Sequence, residues 1–295
     1  MLNSNFDPKK IYPLSVVIPT LGGESINKTI EKLNDGTVIP KEILICIPDE
    51  FSHRVANLSA PNIKIVKSKL KGQVVQRALG FKQADNIYVM QLDDDCLVDQ
   101  STLEVLLKKI TASTEEIAIS PILNDLITNK SIYFRNKSKI YELALSLILE
   151  GKRQIKPGSI TKSGINYGVD FTNASEKDVQ VDWLPGGCIL MKKDFLVTEN
   201  FYPFKGKAYC EDLIHSFFLK KNGLKLILTS EASCRTEFSQ NKLKINDLFN
   251  EIYKDYRARK YFLKLIGRTN FRVHVVFIAT LFIKSIKSIQ LNIKN

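Results

Sequence analysis

Three consecutive aspartates, Asp93 to Asp95, are the residues of this sequence best suited to metal chemistry. They follow NIYVMQL (residues 86–92), an apolar run typical of a buried strand. Carboxylate oxygens suit Mg²⁺ and Mn²⁺, which take one or two protein carboxylates and complete their shell with phosphate oxygens and water. An acidic triplet also occurs as a solvated turn or a helix start. The strand before it favours a metal site that binds a diphosphate.

Four apolar runs predict the strands that position these aspartates, and helices alternate with them. The strands are LSVVIP (14–19), EILICI (42–47), IKIVKS (63–68) and NIYVMQL. The helices run from about Ser25, over 72–84 and after Ser101, where Glu104 completes a capping box. This alternation indicates an α/β fold with a mostly parallel central sheet flanked by helices. Ligands bind beyond the carboxyl ends of such strands, where Thr20, Asp49 and the three aspartates fall.

The second half of the chain is less regular. Residues 121–180 contain a predicted helix near 139–150 and then a segment rich in Gly, Ser and Asn that has no assigned structure. Order returns with VDWLPGGCILMKK (181–193), a helix that begins at Glu211 and a strand, LKLILTS (224–230). After Asn241 the chain is predicted to be helical and basic.

The composition indicates one large globular domain with an appendage. The chain has 295 residues, of which 44% are hydrophobic and 25% charged, and this excludes collagen-like, coiled-coil and wholly disordered proteins. Its length exceeds the ~150 residues of a typical domain but suits a large mixed α/β domain with an extension. We predict a main domain over residues 1–240 and a basic amphipathic helical tail over residues 241–295.

The positive charge is concentrated in this tail. The formal net charge is +12, and residues 241–295 hold twelve basic and three acidic side chains. A nearly neutral main domain argues against a nucleic-acid partner, whereas a basic tail suits an anionic partner such as lipid head groups. Aromatic and aliphatic residues alternate with Arg and Lys at helical spacing, which predicts peripheral membrane contact. The alternative is that the tail packs on the main domain or on a second subunit. In the second case the protein would be a dimer.

The cysteines and the termini predict a cytoplasmic protein. Five cysteines are odd in number and widely spaced, so neither a disulfide framework nor a zinc site is indicated. The N-terminal residues lack a cationic leader followed by an apolar core. The longest apolar stretch, residues 273–283, is shorter than the ~20 residues of a membrane-spanning helix. We expect a location in the cytoplasm, peripheral to the inner face of the cell membrane.

Five segments together resemble the family 2 glycosyltransferases, which are inverting enzymes with the GT-A fold. They are SVVIPTLGG, IPDE, KGQVVQRALGFKQADNIYVMQLDDD, WLPGGCILMKKDF and CEDLIHSFFLKKNG, and the likeness covers about residues 11–230. It implies a donor half at about 11–120 and an acceptor half at about 121–240. It also implies metal-dependent transfer, with inversion, from a UDP- or dTDP-sugar to a hydroxyl of a surface polysaccharide or lipid-linked glycan.

The resemblance assigns residues to the donor site one position at a time. Pro19 and Thr20 match the nucleotide-contacting loop, and either Asp49 or Glu50 would accept from the ring N–H of the base. The remaining implied donor residues are Gly72 and Arg77 beside the diphosphate, Asp93 and Asp94 beside the ribose and sugar hydroxyls, and Asp95 on the Mg²⁺ or Mn²⁺ ion, with Asp93 as a second metal ligand. Ala78 stands where the family often has Asn, and a solvated helical Arg77 is the alternative.

The resemblance also implies an acceptor side. Asp212 would be the general base that removes the proton of the acceptor hydroxyl, with Glu211 beside it raising its pKa. Acidic residues in a first helical turn are also favoured by the macrodipole, which is the simpler explanation. The loop of Trp183, Gly186 and Gly187 would approach the sugar, or it is a tight turn with a core tryptophan. His215, one turn on, would be able to approach the metal or the diphosphate, but a lone histidine on a helix is more often a surface or packed residue.

Two other functions stay open from the sequence. The TLGG segment after the first strand faintly resembles the glycine loop of sugar-nucleotide pyrophosphorylases, but Glu24 and Ser25 follow where those enzymes have a basic residue. Such a nucleotidyltransferase would release pyrophosphate from a nucleoside triphosphate. A non-enzymatic adaptor that binds membrane or nucleic acid through the tail would show no nucleotide binding by the main domain.

Overall fold

The computed structural model describes residues 10–134, 138–173, 175–237, 245–268 and 271–293. The chain divides into two compact units. Unit 1 consists of Met1–Phe134 and Asp170–Phe238, and unit 2 consists of Arg135–Val169 and Ser239–Asn295. The predicted boundary at residue 240 stays a prediction, and residues 1–9 and 241–244 of the predicted domain and tail lie outside the described residues.

Unit 1 is built on one mixed sheet. In its described part the sheet has nine strands, in the order β3-β2-β1-β4-β8-β6-β9-β5, and β7 pairs with β9. The strands are β1 Lys10–Pro19, β2 Val38–Pro48, β3 Ile63–Ser68, β4 Tyr88–Leu92, β5 Leu97–Val98, β6 Ile117–Asp125, β7 Asp178–Gln180, β8 Cys188–Lys192 and β9 Lys225–Thr236.

The four strands β3, β2, β1 and β4 are parallel, as the alternation of strands and helices predicted. The helices that connect them are α1 Ser25–Asn34 and α2 Gln73–Gln83, and α3 Thr102–Ala112 follows β5. Side chains of β1 and β2 alternate in period two, and one set joins the core that α1 and α3 cover. Parallel order places the carboxyl ends of β1, β2 and β4 at one edge of the sheet.

The other half of the sheet is mixed. Strand β8 runs antiparallel to β4 and β6, β9 runs parallel to β6, and β5 and β7 run antiparallel to β9. The helix α5 Glu211–Lys221 begins at the predicted residue, whereas β9 extends six residues beyond the predicted strand, to Thr236. Antiparallel β8 brings the loop before Cys188 beside the carboxyl end of β4, where Asp93 N–H donates to Gly187 O at 2.9 Å.

The predicted capping box at Ser101 is wrong, although α3 begins where expected. The Ser101 side chain makes no capping hydrogen bond. Glu104 instead accepts from Thr37 Oγ1 at 2.7 Å and from Lys108 Nζ at 2.5 Å. Thr102 Oγ1 donates to Ser233 O at 2.6 Å. A contact with a distant residue, Thr37, therefore takes the Glu104 carboxylate that a local cap would have used.

Unit 2 contains three described helices, α4 Lys139–Leu149, α6 Ile245–Leu265 and α7 Arg272–Ile293. Helix α6 packs on α7 through the rings of Tyr256 and Phe277, whose centroids are 4.5 Å apart. Arg259 Nη1 of α6 donates to Gly164 O at 2.8 Å. Helix α4 confirms the predicted helix near residues 139–150. A search of the described helices for a span long and apolar enough to cross a bilayer finds none.

Candidate active site

The loops after β1 and β4 meet at the carboxyl edge of the parallel strands. Pro19 is the last residue of β1, and Thr20 N–H donates to Cys46 O of β2 at 2.9 Å. Thr20 Oγ1 donates to the Asp94 carboxylate, and Thr29 Oγ1 of α1 donates to Asp94 O at 2.8 Å. The structure therefore brings the predicted nucleotide loop and the aspartate loop into direct contact.

Gln76 fixes the same loop from α2, and sequence reasoning missed it. Its side-chain amide donates to Thr20 O at 2.7 Å and to Cys46 O at 2.6 Å. Its Oε1 accepts from Gly72 N–H at 3.2 Å. Gly72 precedes α2 with φ 151°, a region that favours glycine, so the backbone itself requires the predicted glycine. The available signal was a polar side chain at a buried position of α2.

A buried arginine joins the two acidic clusters of the sequence. Arg77 Nη1 donates to Glu211 Oε2 at 2.8 Å, and Arg77 Nη2 donates to Asp93 Oδ1 at 3.3 Å. The Arg77 side chain is only 2% exposed. We call Arg77, Asp93 and Glu211 the Arg77 triad. Because both carboxylates already hold the guanidinium, the triad positions the Asp93 loop against the start of α5.

Burial and charge shift the acidity of groups around the triad. Desolvation raises the pKa of Asp93 to about 7, with Glu211 and Asp95 adding to the rise and Arg77 opposing it. Gln73 Nε2 also donates to Asp93 Oδ1 at 2.8 Å. Desolvation likewise raises the pKa of Asp94, against the hydrogen bond from Thr20. Burial therefore opposes negative charge on Asp93 and Asp94, and on Asp93 it does so although Arg77 is in contact.

His215 is a packed residue of α5. Its ring stacks on Phe201 with centroids 5.6 Å apart and on Phe81 at 6.3 Å. Burial lowers the pKa of His215 to about 3, and the charge of Arg77 lowers it further. Among the described residues its ring nitrogens have no hydrogen-bond partner. The histidine is therefore neutral and acts as part of an aromatic stack.

Gly186 and Gly187 lie between the two acidic clusters, where a larger residue does not fit. A Cβ on Gly186 would lie 2.6 Å from Glu211 Oε1, and one on Gly187 would lie 2.9 Å from Cys96 Sγ. Gly186 O accepts from the Gln91 side chain. The paired glycines thus let this loop pack directly against the Arg77 triad and the aspartate loop.

Trp183 and Asp212 lie near a common aromatic neighbour, Tyr133. The Trp183 side chain is buried, and its ring meets that of Tyr133 edge-on with centroids 5.7 Å apart. Desolvation raises the pKa of Tyr133, and the charge of Asp212 adds to the rise. Asp212 is half-buried, and its Oδ1 accepts from Leu213 N–H at 2.9 Å.

Asp49 and Glu50 begin a short 3-10 turn directly after β2, and both are exposed. Asp49 pairs with Lys67 Nζ at 3.2 Å. The same edge holds two exposed cations that sequence reasoning missed. Arg54 lies 4.3 Å and Lys71 5.0 Å from the centroid of the Phe51 ring. Arg54 Nη1 also donates to Leu21 O at 3.1 Å, so it borders the loop after β1.

The residues present fit a divalent cation that is shared with a bound phosphate ligand. In the part of the chain that the structure describes, no three His, Cys, Asp or Glu side chains converge as a complete metal site. Asp95 is exposed, and the Asp93 side chain is 28% exposed. Mg²⁺ and Mn²⁺ often take only one or two protein carboxylates when a substrate phosphate supplies further oxygens. Asp95 and Asp93 would be the protein ligands of such an ion.

Comparison with known proteins identifies a family and a fold. Residues 15–170, more than half of the chain, match the sequence model of Glycosyl transferase family 2. A crystal structure of GalNAc-T7 with UDP, GalNAc and Mn²⁺ superposes with a TM-score of 0.55 at 16% identity, covering 82% of this chain and 49% of that one. Residues 1–349 of TarS from S. aureus give 0.50 at 14% identity, covering 91% and 70%.

This chain thus spans about half the length of the GalNAc-T7 chain that it matches. No curated protein matches it in sequence. At these identities the two structures show the fold alone. They confirm the predicted GT-A-like α/β fold, a central sheet flanked by helices.

Proposed function

The chain belongs to glycosyl transferase family 2, and from that premise we propose that it transfers a sugar, with inversion, from a UDP- or dTDP-linked donor to a hydroxyl of a surface polysaccharide or lipid-linked glycan. The observation that carries the proposal is the Arg77 triad. Arg77 binds Asp93, two residues from Asp95, and Glu211, the neighbour of Asp212. One buried cation thereby links the proposed metal loop to the proposed base.

The donor nucleotide would bind along the carboxyl edge of β1, β2 and β4. Asp49 or Glu50 would accept from the N–H of the uracil or thymine ring, and both are exposed for this. Pro19 and Thr20 would contact the nucleotide, while Asp93 and Asp94 would face ribose and sugar hydroxyls. A GalNAc-T7 structure that contains UDP supports a uridine donor by analogy of fold.

Asp95, with Asp93, would hold Mg²⁺ or Mn²⁺. The ion, when bound, supplies positive charge that stabilises the leaving nucleoside diphosphate. The GalNAc-T7 structure contains Mn²⁺, which supports a divalent ion in this fold. Arg77 is held by two carboxylates, so the exposed Arg54 and Lys71 are the side chains that we assign to the outer phosphate oxygens.

Asp212 is the proposed general base. The acceptor hydroxyl oxygen attacks C1 of the donor sugar, its proton passes to an Asp212 carboxylate oxygen, and the bond from C1 to the phosphate oxygen breaks on the opposite face. That geometry inverts the configuration at C1. Glu211 is excluded as the base because its carboxylate is buried and already accepts from Arg77. Trp183, Gly186 and Gly187 would border the sugar.

Melting measurements with nucleoside diphosphates test the donor and metal assignments together. We expect UDP or dTDP to raise the melting temperature only when Mn²⁺ or Mg²⁺ is present, since ligands that bind the folded state stabilise it by mass action. Asp95→Ala should abolish the metal-dependent rise in melting temperature. Asp85→Ala is the matched control, because Asp85 is an exposed aspartate just before β4 rather than just after it.

If no nucleoside diphosphate changes the melting temperature with either metal, the donor assignment is wrong. A response to nucleoside triphosphates with release of pyrophosphate would instead favour the nucleotidyltransferase.

A further inference from the structure

We propose that unit 2 carries a lipid-binding surface, formed by α4 and α7, that fits an anionic membrane. Helix α4 lies outside the predicted tail and belongs to a segment that the sequence left largely unassigned. The proposal concerns unit 2 alone and does not depend on the proposed sugar transfer. We call the surface the α4/α7 face, and define it below by its exposed apolar residues.

Helix α4 presents an apolar stripe to solvent. Ile140, Leu143 and Leu147 are all exposed, Ile140 at 81%. Their spacing of three and four residues places them on one side of the helix. The buried positions of α4 are Ser146 and Leu149. This helix therefore buries one small polar and one apolar residue while it leaves several large apolar residues exposed, more than an ordinary surface helix does.

Helix α7 and the residue before it repeat the pattern. Phe271, Val275, Ile278 and Phe282 are exposed, Ile278 at 64% and Phe282 at 67%. Their spacing of four, three and four residues again defines one stripe. Val273 is the buried apolar side chain of this helix among those with described burial. Contiguous exposed apolar stripes of this kind mark an interaction surface.

The two helices are fixed to each other at one end. Arg272, the first residue of α7, donates through Nη1 to Leu147 O at 2.7 Å and to Ile148 O at 3.1 Å, at the end of α4. A Cβ on Gly151 would lie 2.4 Å from Arg272 Nη2, so the chain after α4 is shaped around this guanidinium. The two stripes are therefore parts of one folded unit.

Basic residues adjoin both stripes in sequence, Lys139 before Ile140, Arg272 after Phe271 and Lys284 after Ile283, and they indicate the kind of partner. Two arginine side chains lie directly over exposed aromatic rings, Arg272 at 5.3 Å from the centroid of Phe271 and Arg257 at 5.9 Å from that of Tyr253. Further exposed basic residues in the described part of unit 2 are Lys139, Lys152, Arg153, Lys156, Lys162, Lys254, Lys260, Lys264, Arg268 and Lys284.

A second copy of the chain would bring two such basic surfaces together, which like-charge repulsion opposes. An anionic bilayer interface satisfies both features at once. Apolar side chains enter the boundary of the acyl chains while Lys and Arg remain among negative head groups.

Sedimentation of the full chain with vesicles tests the surface. We expect binding to phosphatidylcholine vesicles that contain phosphatidylglycerol, and much weaker binding to phosphatidylcholine alone. Two double variants, Ile278→Ser with Phe282→Ser and Ile140→Ser with Leu147→Ser, should each lower the partition coefficient at least about tenfold, since each removes two large apolar side chains from the interface. Lys260→Glu with Lys264→Glu should remove the preference for phosphatidylglycerol.

The matched control is Ile11→Ser with Leu70→Ser, two equally exposed apolar residues of unit 1, which should bind as the unchanged protein does. Circular dichroism checks that each variant is folded. The proposal is overturned if the unchanged protein does not sediment with either vesicle, or if the helix variants bind as well as the control. It is also overturned if light scattering finds a dimer that the helix variants dissociate, because the face would then bind a second copy. The assay needs no donor, so loss of nucleotide binding and loss of vesicle binding report separately on the two proposals.

Discussion

The two acidic clusters of unit 1 are alike in sequence, and in each of them one carboxylate binds Arg77 while another is more exposed. In the loop after β4, Asp93 binds Arg77 and Gln73 while Asp95 is exposed. At the start of α5, Glu211 is buried against Arg77 while Asp212 is half-buried. In each cluster the carboxylate nearer the interior anchors the backbone. The carboxylate farther out is more exposed to solvent.

The difference between the clusters lies in their local backbone. Asp93 to Asp95 form a loop between two strands, and their side chains have different surroundings, with Asp93 on Arg77, Asp94 on Thr20 and Asp95 exposed. Glu211 and Asp212 are the first two residues of a helix, and Cys210 before them has φ 55° in the left-handed region. A cation shared with phosphate suits the open loop, whereas a base that must hold one position suits the helix. Mutations in the two clusters should therefore have different effects. A change in the loop should affect the binding of metal and nucleotide, whereas a change at Asp212 should affect turnover.

The largest expected effect is on turnover in Asp212→Asn. Loss of a general base costs about 10²- to 10⁴-fold in rate, and the amide cannot take the proton. Nucleotide binding should be unchanged because Asp212 lies in the acceptor side of the proposed site. Turnover with a sugar nucleotide and titration calorimetry with the nucleoside diphosphate measure the two quantities. Unchanged turnover would remove Asp212 as the base.

Next in size is the loss of stability in Arg77→Ala. The buried Glu211 carboxylate and the partly buried Asp93 carboxylate would lose their cation, and breaking a buried ion pair from one side costs about 3 to 5 kcal/mol. Urea unfolding measures the change in the free energy of unfolding. Asp212→Asn provides the contrast, with a change of less than about 1 kcal/mol expected at a half-buried site. Equal stability of Arg77→Ala and the unchanged protein would contradict the anchoring role.

The smallest effect concerns the pH dependence of stability through His215. Its pKa is lowered from 6.5 to about 3 in the folded protein, so below pH 6.5 the unfolded chain binds a proton that the native protein does not. Stability therefore falls as the pH falls through this window, by up to about 1.4 kcal/mol per pH unit from this group. In His215→Phe, which keeps an aromatic ring between Phe81 and Phe201, the decline should be shallower.

The control for this pH series is His53→Phe, at an exposed position. Urea unfolding at several pH values from 4 to 7 gives the slopes. The same slope in His215→Phe and in the unchanged protein would show that the histidine is not held neutral by its burial.

Local patterns predicted much of unit 1. The run IKIVKS coincides with β3 from Ile63 to Ser68, and α5 begins at Glu211 as expected. These elements follow from hydrophobic periodicity, which is a property of neighbouring residues. The capping box at Ser101 is absent, and Thr37, which is distant in sequence, donates instead to the Glu104 carboxylate that the box would have used. Sequence patterns predict a helix or strand well unless one of its polar side chains is hydrogen-bonded to a residue that is distant in sequence.

The sequence predicted which residues form the candidate site and that they lie at the carboxyl edge of the sheet. It did not predict the hydrogen bonds and ion pairs among them. Residue types and strand order placed Thr20 and the aspartates together, and the hydrogen bond from Thr20 to Asp94 agrees with this. Nothing in the spacing showed that Arg77 is buried or that Gln76 holds the loop after β1. The sequence analysis missed Arg54 and Lys71 because their contacts with the Phe51 ring depend on the conformation of the 3-10 turn after β2.

By itself the sequence determined the fold class, the acidic residues available for chemistry and the excess of basic residues near the end of the chain. Strand periodicity and the order of elements are local and therefore readable. Only the tertiary structure decided which carboxylate of each cluster is anchored, since Arg77 and Glu211 are 134 positions apart. It also decided that α4 and α7 each leave large apolar side chains exposed, because burial depends on which helix faces remain uncovered after packing.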